Sequence, residues 1–346
     1  MVILLFVVTQ TQSTPQAPAK PRSSLVKKLA MLAVSALVTA GVAEWAVRAL
    51  NIERLPATNP DLYQPDDELV FTMKPNVTMY SHGCEIETNR AGLRGPHWED
   101  VHAQDRQTVM FLGDSVTVGF GVRYEECFVS RFSERNDRDL TGVCLGLCGY
   151  NYEQEFGLAK RHLTDIRPAA TVVTFVGNDF EEPYAIFERR VTPNHEAGLL
   201  EPVKELLRSN SALYAFLRKR YRKLRHGGST SDGHETWVGE ELAGDTPESL
   251  AHYEAYERGL REIMDATQAP LVLVLFPLGV PDECTTRLKE IAERTGAHWV
   301  DLSKLWDNIP EYLVTDSLGW DGHPAAHAHD KIATEILTAI DEVLPR

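Results

Sequence analysis

Val109-Met110-Phe111-Leu112-Gly113-Asp114-Ser115 runs four apolar residues into a Gly-Asp pair and then a serine. A short apolar run closed by turn residues reads as a strand buried on both faces, the kind found in parallel sheets. In open α/β sheets, ligand and catalytic groups gather at the carboxyl ends of the strands. Ser115 stands at such an end and is therefore a candidate nucleophile. Taken alone, Gly-Asp-Ser is an ordinary turn. The rest of the chain has to supply a base, a group to orient it and donors for an oxyanion.

Outward from that strand, residues 107–112, strand and helix signals alternate. Residues 125–135 have a helical pattern, 143–147 a strand, 154–164 a helix, and 170–176 a strongly β-branched strand. Further on come a strand at 271–276, a helix at 284–295, a short strand at 298–302 and a closing helix at 326–343. This alternation predicts an α/β domain: a flavodoxin-like three-layer sandwich with a central parallel sheet of about five strands. Residues 181–246 form an insertion with one helix at 206–224. That helix carries Arg218-Lys219-Arg220-Tyr221-Arg222-Lys223-Leu224-Arg225, which reads first as a solvated helix face and second as a contact for an anionic surface.

The 346 residues are 43% apolar and 25% charged, ordinary values for a folded protein. Lys and Arg number 35 against 50 Asp and Glu, a net charge of −15, which argues against a nucleic-acid partner. The five cysteines form no Cys-x-x-Cys pair for zinc. Cys144 and Cys148 are close enough in sequence to allow a disulfide, and the odd count leaves at least one thiol over; burial as small apolar residues is the expected state for most.

Lys20, Arg22, Lys27 and Lys28 precede an uncharged run from Leu29 to Ala43, which spans about 22 Å as a helix. Extension to Leu50 reaches spanning length and takes in Glu44 and Arg48, spaced to pair on one helix face. The positive-inside rule keeps residues 1–28 cytoplasmic, makes residues 29–50 a transmembrane signal-anchor and puts the rest outside the cytoplasm, on the periplasmic or extracellular side. A signal peptide cleaved near Gly41-Val42-Ala43 is the alternative. Residues 51–106 are read as a linker to about residue 68 and then a small β-rich lead-in, with the main domain occupying 107–346.

A serine hydroxyl needs an adjacent base, usually an imidazole held by a carboxylate. Among 12 histidines the informative one is His323, in Trp320-Asp321-Gly322-His323-Pro324 just before the closing helix. Asp321 shares that loop and is the candidate orienting residue, with Asp316 as the fallback. Gly177-Asn178-Asp179 ends another strand and offers an amide donor. Gly149 follows the second strand and offers a bare backbone N–H. Serine, glycine, asparagine and Asp/His thus stand in order at four chain ends, a pattern far more informative than any one of them.

At these residues the chain resembles the SGNH (GDSL-like) hydrolase superfamily, in its membrane-anchored bacterial form. Phe111-Leu112-Gly113-Asp114-Ser115 is similar to that family's first block, Leu145-Gly146-Leu147-Cys148-Gly149-Tyr150 to the second, Val176-Gly177-Asn178-Asp179 to the third and Asp321-Gly322-His323-Pro324 to the last. The resemblance covers roughly residues 107–344, and the lead-in at residues 89–96 shares it. It departs from the pattern in two places: the aspartate stands two rather than three residues before the histidine, and Cys144 replaces an asparagine frequent in the second block.

The resemblance implies Ser115 as nucleophile, His323 as general base, Asp321 as its partner, and an oxyanion hole of Ser115, Gly149 and Asn178. It also implies an ester hydrolase working through an acyl-enzyme, without a cofactor or metal. An ester, with an O-acetylated or otherwise acylated glycan as the candidate, is the expected substrate partner, and the membrane is the partner of the N-terminal helix. An O-acyltransferase using the same site and a non-catalytic carbohydrate-binding module keeping the fold are the alternatives. His323, His327 and His329 lack the Glu and the further ligands of a helical zinc site. Gly113-Asp114-Ser115-Val116-Thr117 is not the Gly-x-Ser-x-Gly of an α/β-hydrolase, and no Gly-Lys-Ser/Thr follows Gly119 and Gly121 to build a phosphate loop.

Overall fold

The computed structural model describes residues 23–53, 55, 59–81, 84–181, 201–226, 246–276, 280–306 and 323–344. The chain divides after Ile52 into two units. The first holds helix α1 (Ser23–Ala49). Its segment Leu25–Ala49, 25 residues with a mean hydropathy of 1.7, is long and apolar enough to cross a membrane. The helix starts before the anticipated residue 29, so Lys27 and Lys28 are helical. Within it Arg48 Nε donates to Glu44 Oε1 at 2.5 Å, so the one charged pair in the segment is internally matched.

The second unit begins with the short helix α2 (Asn59–Leu62) and two hairpins, β1 (Tyr63–Asp66) with β2 (Val70–Met73) and β3 (Thr78–Ser81) with β4 (Cys84–Glu87). The β-rich lead-in therefore starts inside the stretch expected to be linker. Pro65 made that stretch look irregular, yet a two-stranded ribbon has only edges, where proline is tolerated. Helix α3 (Trp98–His102) leads into the central sheet.

Along the chain the main elements are then β5 (Gln107–Gly113), α4 (Ser115–Val118), α5 (Phe128–Arg135), β6 (Leu140–Gly146), α6 (Tyr152–Ile166) and β7 (Ala170–Phe175). They continue with α7 (Glu201–Asn210), α8 (Ala212–His226), α9 (Pro247–Thr267), β8 (Leu271–Leu275), α10 (Asp282–Thr295), β9 (His298–Asp301) and α11 (Ala326–Val343). Among the described residues the strand order is β6-β5-β7-β8-β9, all parallel. In order of appearance that is 2-1-3-4-5, the flavodoxin-like order. Every residue of β7 and β8 is buried. Val109, Phe111, Val172, Val272 and Val274 face the core shared with α5 and α11. Met110, Leu112, Val173, Leu273 and Leu275 face the core shared with α6, α9, α10 and the lead-in. Period-two alternation between two apolar cores is what makes the sandwich three-layered.

Three element boundaries differ from expectation for visible reasons. The helix foreseen at 125–135 is a 3-10 turn, Tyr124–Glu126, followed by α5, because Cys127 between them is extended. The single helix foreseen at 206–224 is two, α7 and α8, since the Ser211 hydroxyl accepts from Tyr214 N at 3.0 Å and starts a new helix. Helix α9 occupies residues to which the strand–helix pattern assigned no element. Thr246 caps it, Pro247 opens it, and Tyr253, Tyr256, Leu260 and Ile263 bury one helical stripe.

Candidate active site

The crossover in strand order falls between β5 and its neighbours β6 and β7, and the carboxyl ends of these strands are where such sheets place their sites. Gly113 ends β5 at φ 153°, and a Cβ there would overlap the Thr117 hydroxyl, so only glycine lets the chain turn directly into α4. Asp114, 1% exposed, caps that helix, its Oδ1 accepting from Val116 N at 2.9 Å. Ser115 is the first residue of α4 and half-buried. Among the described residues its backbone N–H has no hydrogen-bond partner, as expected at a helix start.

His323 Nε2 lies 2.8 Å from Ser115 Oγ. The imidazole is stacked on Phe120, with centroids 4.2 Å apart and planes at 25°. The same hydroxyl lies 2.9 Å from Asp114 Oδ2, to which it can donate instead. Asp114 Oδ2 also accepts from Asn178 Nδ2 at 3.1 Å. Asn178 sits in a 3-10 turn, Gly177–Phe180, that follows β7, and Asp179 fastens the turn by accepting from Val176 N through Oδ2 at 3.1 Å.

Gly149 stands at φ 77° in the turn after β6. That strand end is pressed against α4: a Cβ on Gly146 would come 2.5 Å from Val118 N, and Leu147 N donates to Gly113 O at 3.3 Å. The turn is tied to the loop after β7 because Asn151 Nδ2 donates to Glu181 O at 3.0 Å. Among the described residues no acceptor takes the Gly149 N–H.

Of the anticipated residues, Ser115 and His323 are in contact, Asn178 is one side chain away through Asp114, and Gly149 lies in the turn after β6, the strand next to β5. Asp321 and Asp316 lie outside the described residues. The three histidines do not converge: His327 is exposed, and His329 is fully buried with Nδ1 accepting from Phe128 N at 3.3 Å. All five cysteines are free thiols, Cys144 and Cys148 included. Burial pushes the Cys144 thiol up to about 12. Burial, followed by the nearby Asp114 charge, does the same to Cys148, so neither is a thiolate nucleophile at neutral pH.

Sequence reasoning treats Asp114 only as a turn residue, whereas it touches Ser115, Val116 and Asn178 at once. A small acid directly before a predicted helix start was the available signal. Phe120 carried none, because a stacking partner for an imidazole cannot be told from any other half-buried aromatic.

No protein-family model matches the chain, and no curated protein matches it. Among solved structures it is similar to that of TesA, at 13% identity over 69% of this chain and 100% of that one, with a TM-score of 0.42. It is also similar to the psychrotrophic esterase EstA from Pseudoalteromonas sp. inhibited by monoethylphosphonate, at 15% identity over 68% and 97% of the two chains and a TM-score of 0.41. A catalytic mutant of an acetylxylan esterase from Geobacillus stearothermophilus is similar at 15% identity over 68% and 94%, with a TM-score of 0.39. These likenesses are distant, and the functional reading rests on the geometry around Ser115.

Proposed function

We propose that the chain is a serine-dependent ester hydrolase of the SGNH type. The observation that carries this is the 2.8 Å approach of His323 Nε2 to the hydroxyl of a serine at the carboxyl end of β5. Nε2 takes the hydroxyl proton as Oγ attacks the ester carbonyl carbon. The Ser115 and Gly149 N–H groups and the Asn178 amide face the developing oxyanion. Collapse of the tetrahedral adduct breaks the bond to the alkoxy oxygen, which leaves as the alcohol with the proton held by His323. Water, deprotonated by the same imidazole, then attacks the acyl carbon; Ser115 Oγ leaves, recovers its proton from His323, and the acid is released. Asp321, two residues before the base, is the proposed partner of its other nitrogen.

We place the substrate among acyl esters of glycans, with the hydrolase domain outside the cytoplasm and α1 as its anchor. The support for the anchor and the location is the order of basic residues before the apolar helix and the match of α1 to a bilayer's thickness. Hydrolysis of p-nitrophenyl acetate and labelling by a fluorophosphonate probe test the chemistry. Ser115→Ala is expected to lose both, with a fall in kcat on the order of 10⁴–10⁶-fold. An active wild type matched by a fully active Ser115→Ala would sink the proposal. Release of the full chain from membranes by an alkaline carbonate wash would sink the anchor.

A further inference from the structure

Arg94 is 1% exposed, the largest fully buried side chain by volume among the described residues, and the activity proposed above gives it no part. Its partners are almost all backbone carbonyls. Nη1 donates to Val118 O at 2.9 Å and to Gly119 O at 2.9 Å, and Nη2 donates to Val122 O at 2.8 Å and more weakly to Glu85 O at 3.4 Å. The Cys84 sulfur, 3.7 Å from Nη2, completes the set. Among the described residues no carboxylate pairs with it. A guanidinium removed from water without a counter-ion is costly, and its planar fork imposes a definite geometry on whatever it binds.

The three short bonds all go to one turn, residues 118–122, which directly follows α4. Gly119 at φ 76° and Gly121 at φ 81° bend it so that these carbonyls converge on the guanidinium. The turn is also fastened to the site, since Phe120 N donates to Ser115 O at 2.9 Å. At its apex stands Phe120, whose ring lies flat against the His323 imidazole. The connection runs from the lead-in, through Arg94, to the turn, to Phe120 and so to His323.

We propose that Arg94 is a positioning residue: by gathering the Val118, Gly119 and Val122 carbonyls it holds Phe120 against His323 and so sets the approach of Nε2 to Ser115 Oγ. Arg94 touches neither reacting group. The segment after β4 that carries Arg94 is thereby part of the site rather than a spacer. The functional half of this inference rests on the hydrolase reading above, whereas its structural half does not.

The test uses the full chain in detergent, with Arg94→Met, Phe120→Ala and the double variant. Three quantities are measured: the fluorophosphonate labelling rate, p-nitrophenyl acetate kinetics, and the imidazole NMR signals of His323, assigned by loss in His323→Gln. In wild type the Phe120 ring current shifts those signals upfield. Arg94→Met is expected to lose that shift and to lower both kcat and the labelling rate by about 10- to 100-fold, the scale of a misplacement of about 1 Å. KM changes little, because the substrate-binding surface is untouched. In the Phe120→Ala background, Arg94→Met is expected to cost no more than about a further twofold, since both changes break one connection.

A folded Arg94→Met that keeps the ring-current shift and the wild-type labelling rate overturns the proposal, as do losses that multiply in the double variant. Should Arg94→Met not melt cooperatively, Phe120→Ala decides: wild-type labelling in that variant means no connection to His323 exists. Equal labelling of wild type and Ser115→Ala would instead defeat the hydrolase reading, while the NMR signals would still report whether Arg94 fixes the ring.

Discussion

His323 Nε2 stands 2.8 Å from Ser115 Oγ although 208 residues separate the two in the chain. One follows the first strand of the sheet and the other precedes the last helix, so the pair exists only when the whole sandwich has closed. The serine hydroxyl has one proton and two acceptors, His323 Nε2 and Asp114 Oδ2 at 2.9 Å. Asp114 thus competes for the proton while it holds Asn178 and caps α4. Asp114→Ala is expected to destabilise the fold by about 1 kcal/mol through the lost cap. It should also lower kcat, because Asn178 loses the partner that fixes its amide. Thermal melts and steady-state kinetics on one preparation check both effects, and unchanged kcat would remove Asp114 from the site.

Asn178 supplies the sharpest test of the proposed oxyanion donors. Asn178→Ala is expected to lower kcat by about 10²–10³-fold while KM moves little, since the amide's contribution grows as charge develops on the carbonyl oxygen. A matched rise in KM with constant kcat would make Asn178 a ground-state binding residue instead.

His329 makes an acid-stability prediction. Burial, reinforced by the Arg94 charge, pulls its pKa down from 6.5 to about 3, so it stays neutral in the folded protein. Below pH 6.5 the unfolded chain takes up a proton that the folded one refuses, and stability falls with pH until the folded value is reached. Between pH 6.5 and 4.5 the loss is about 2 kcal/mol, the slope approaching about 1.4 kcal/mol per pH unit once the pH is well below 6.5. His329→Gln, which keeps an acceptor for Phe128 N, should flatten that limb in urea titrations. An unchanged acid limb would assign it to other groups.

The central sheet was legible because parallel strands buried on both faces must be continuous apolar runs, as at Val109 to Leu112 and Leu271 to Leu275. Where a strand contains residues chosen for a neighbour, the signal fails. Strand β6 starts at Leu140, whereas its apolar run is legible only from Val143 because Gly142 interrupts it. Residue 142 is glycine because a Cβ would lie 2.8 Å from Val129 Cγ1 and 2.9 Å from Val129 O. Ser115, Gly149, Asn178 and His323 were legible as an ordered set at chain ends. Arg94 and Asp114 were not, since their roles depend on carbonyls and amides brought to them from distant strands. A polar residue's type reveals its donors or acceptors, not the partner it will meet.

Beneath Asn178 lies an acidic cluster that leads to the last prediction. Glu155, on α6, is fully buried, and neither carboxyl oxygen has a hydrogen-bond partner among the described residues. Asp179 is also fully buried but accepts from Val176 N, and the Tyr256 hydroxyl is buried beside them. Burial, then the charges of Asp179 and Asp114, raises Glu155 well above 4.5. Asp179 is raised as well, by burial and Asp114, against the pull of its bond from Val176. Glu155, with nothing donating to it, is the group that keeps its proton, leaving Asp179 to fasten the turn that carries Asn178. The sign follows: above pH 4.5 the unfolded chain releases the Glu155 proton while the folded protein retains it, so stability falls as pH rises, by up to about 1.4 kcal/mol per pH unit. Glu155→Gln, which mimics the neutral acid, should therefore be more stable than wild type at pH 7, with the gap widening from pH 5 upward. Denaturation midpoints at four pH values read it directly. Parallel curves for the two proteins would mean that Glu155 is ionised in the fold, and the cluster would then need a cation to balance it.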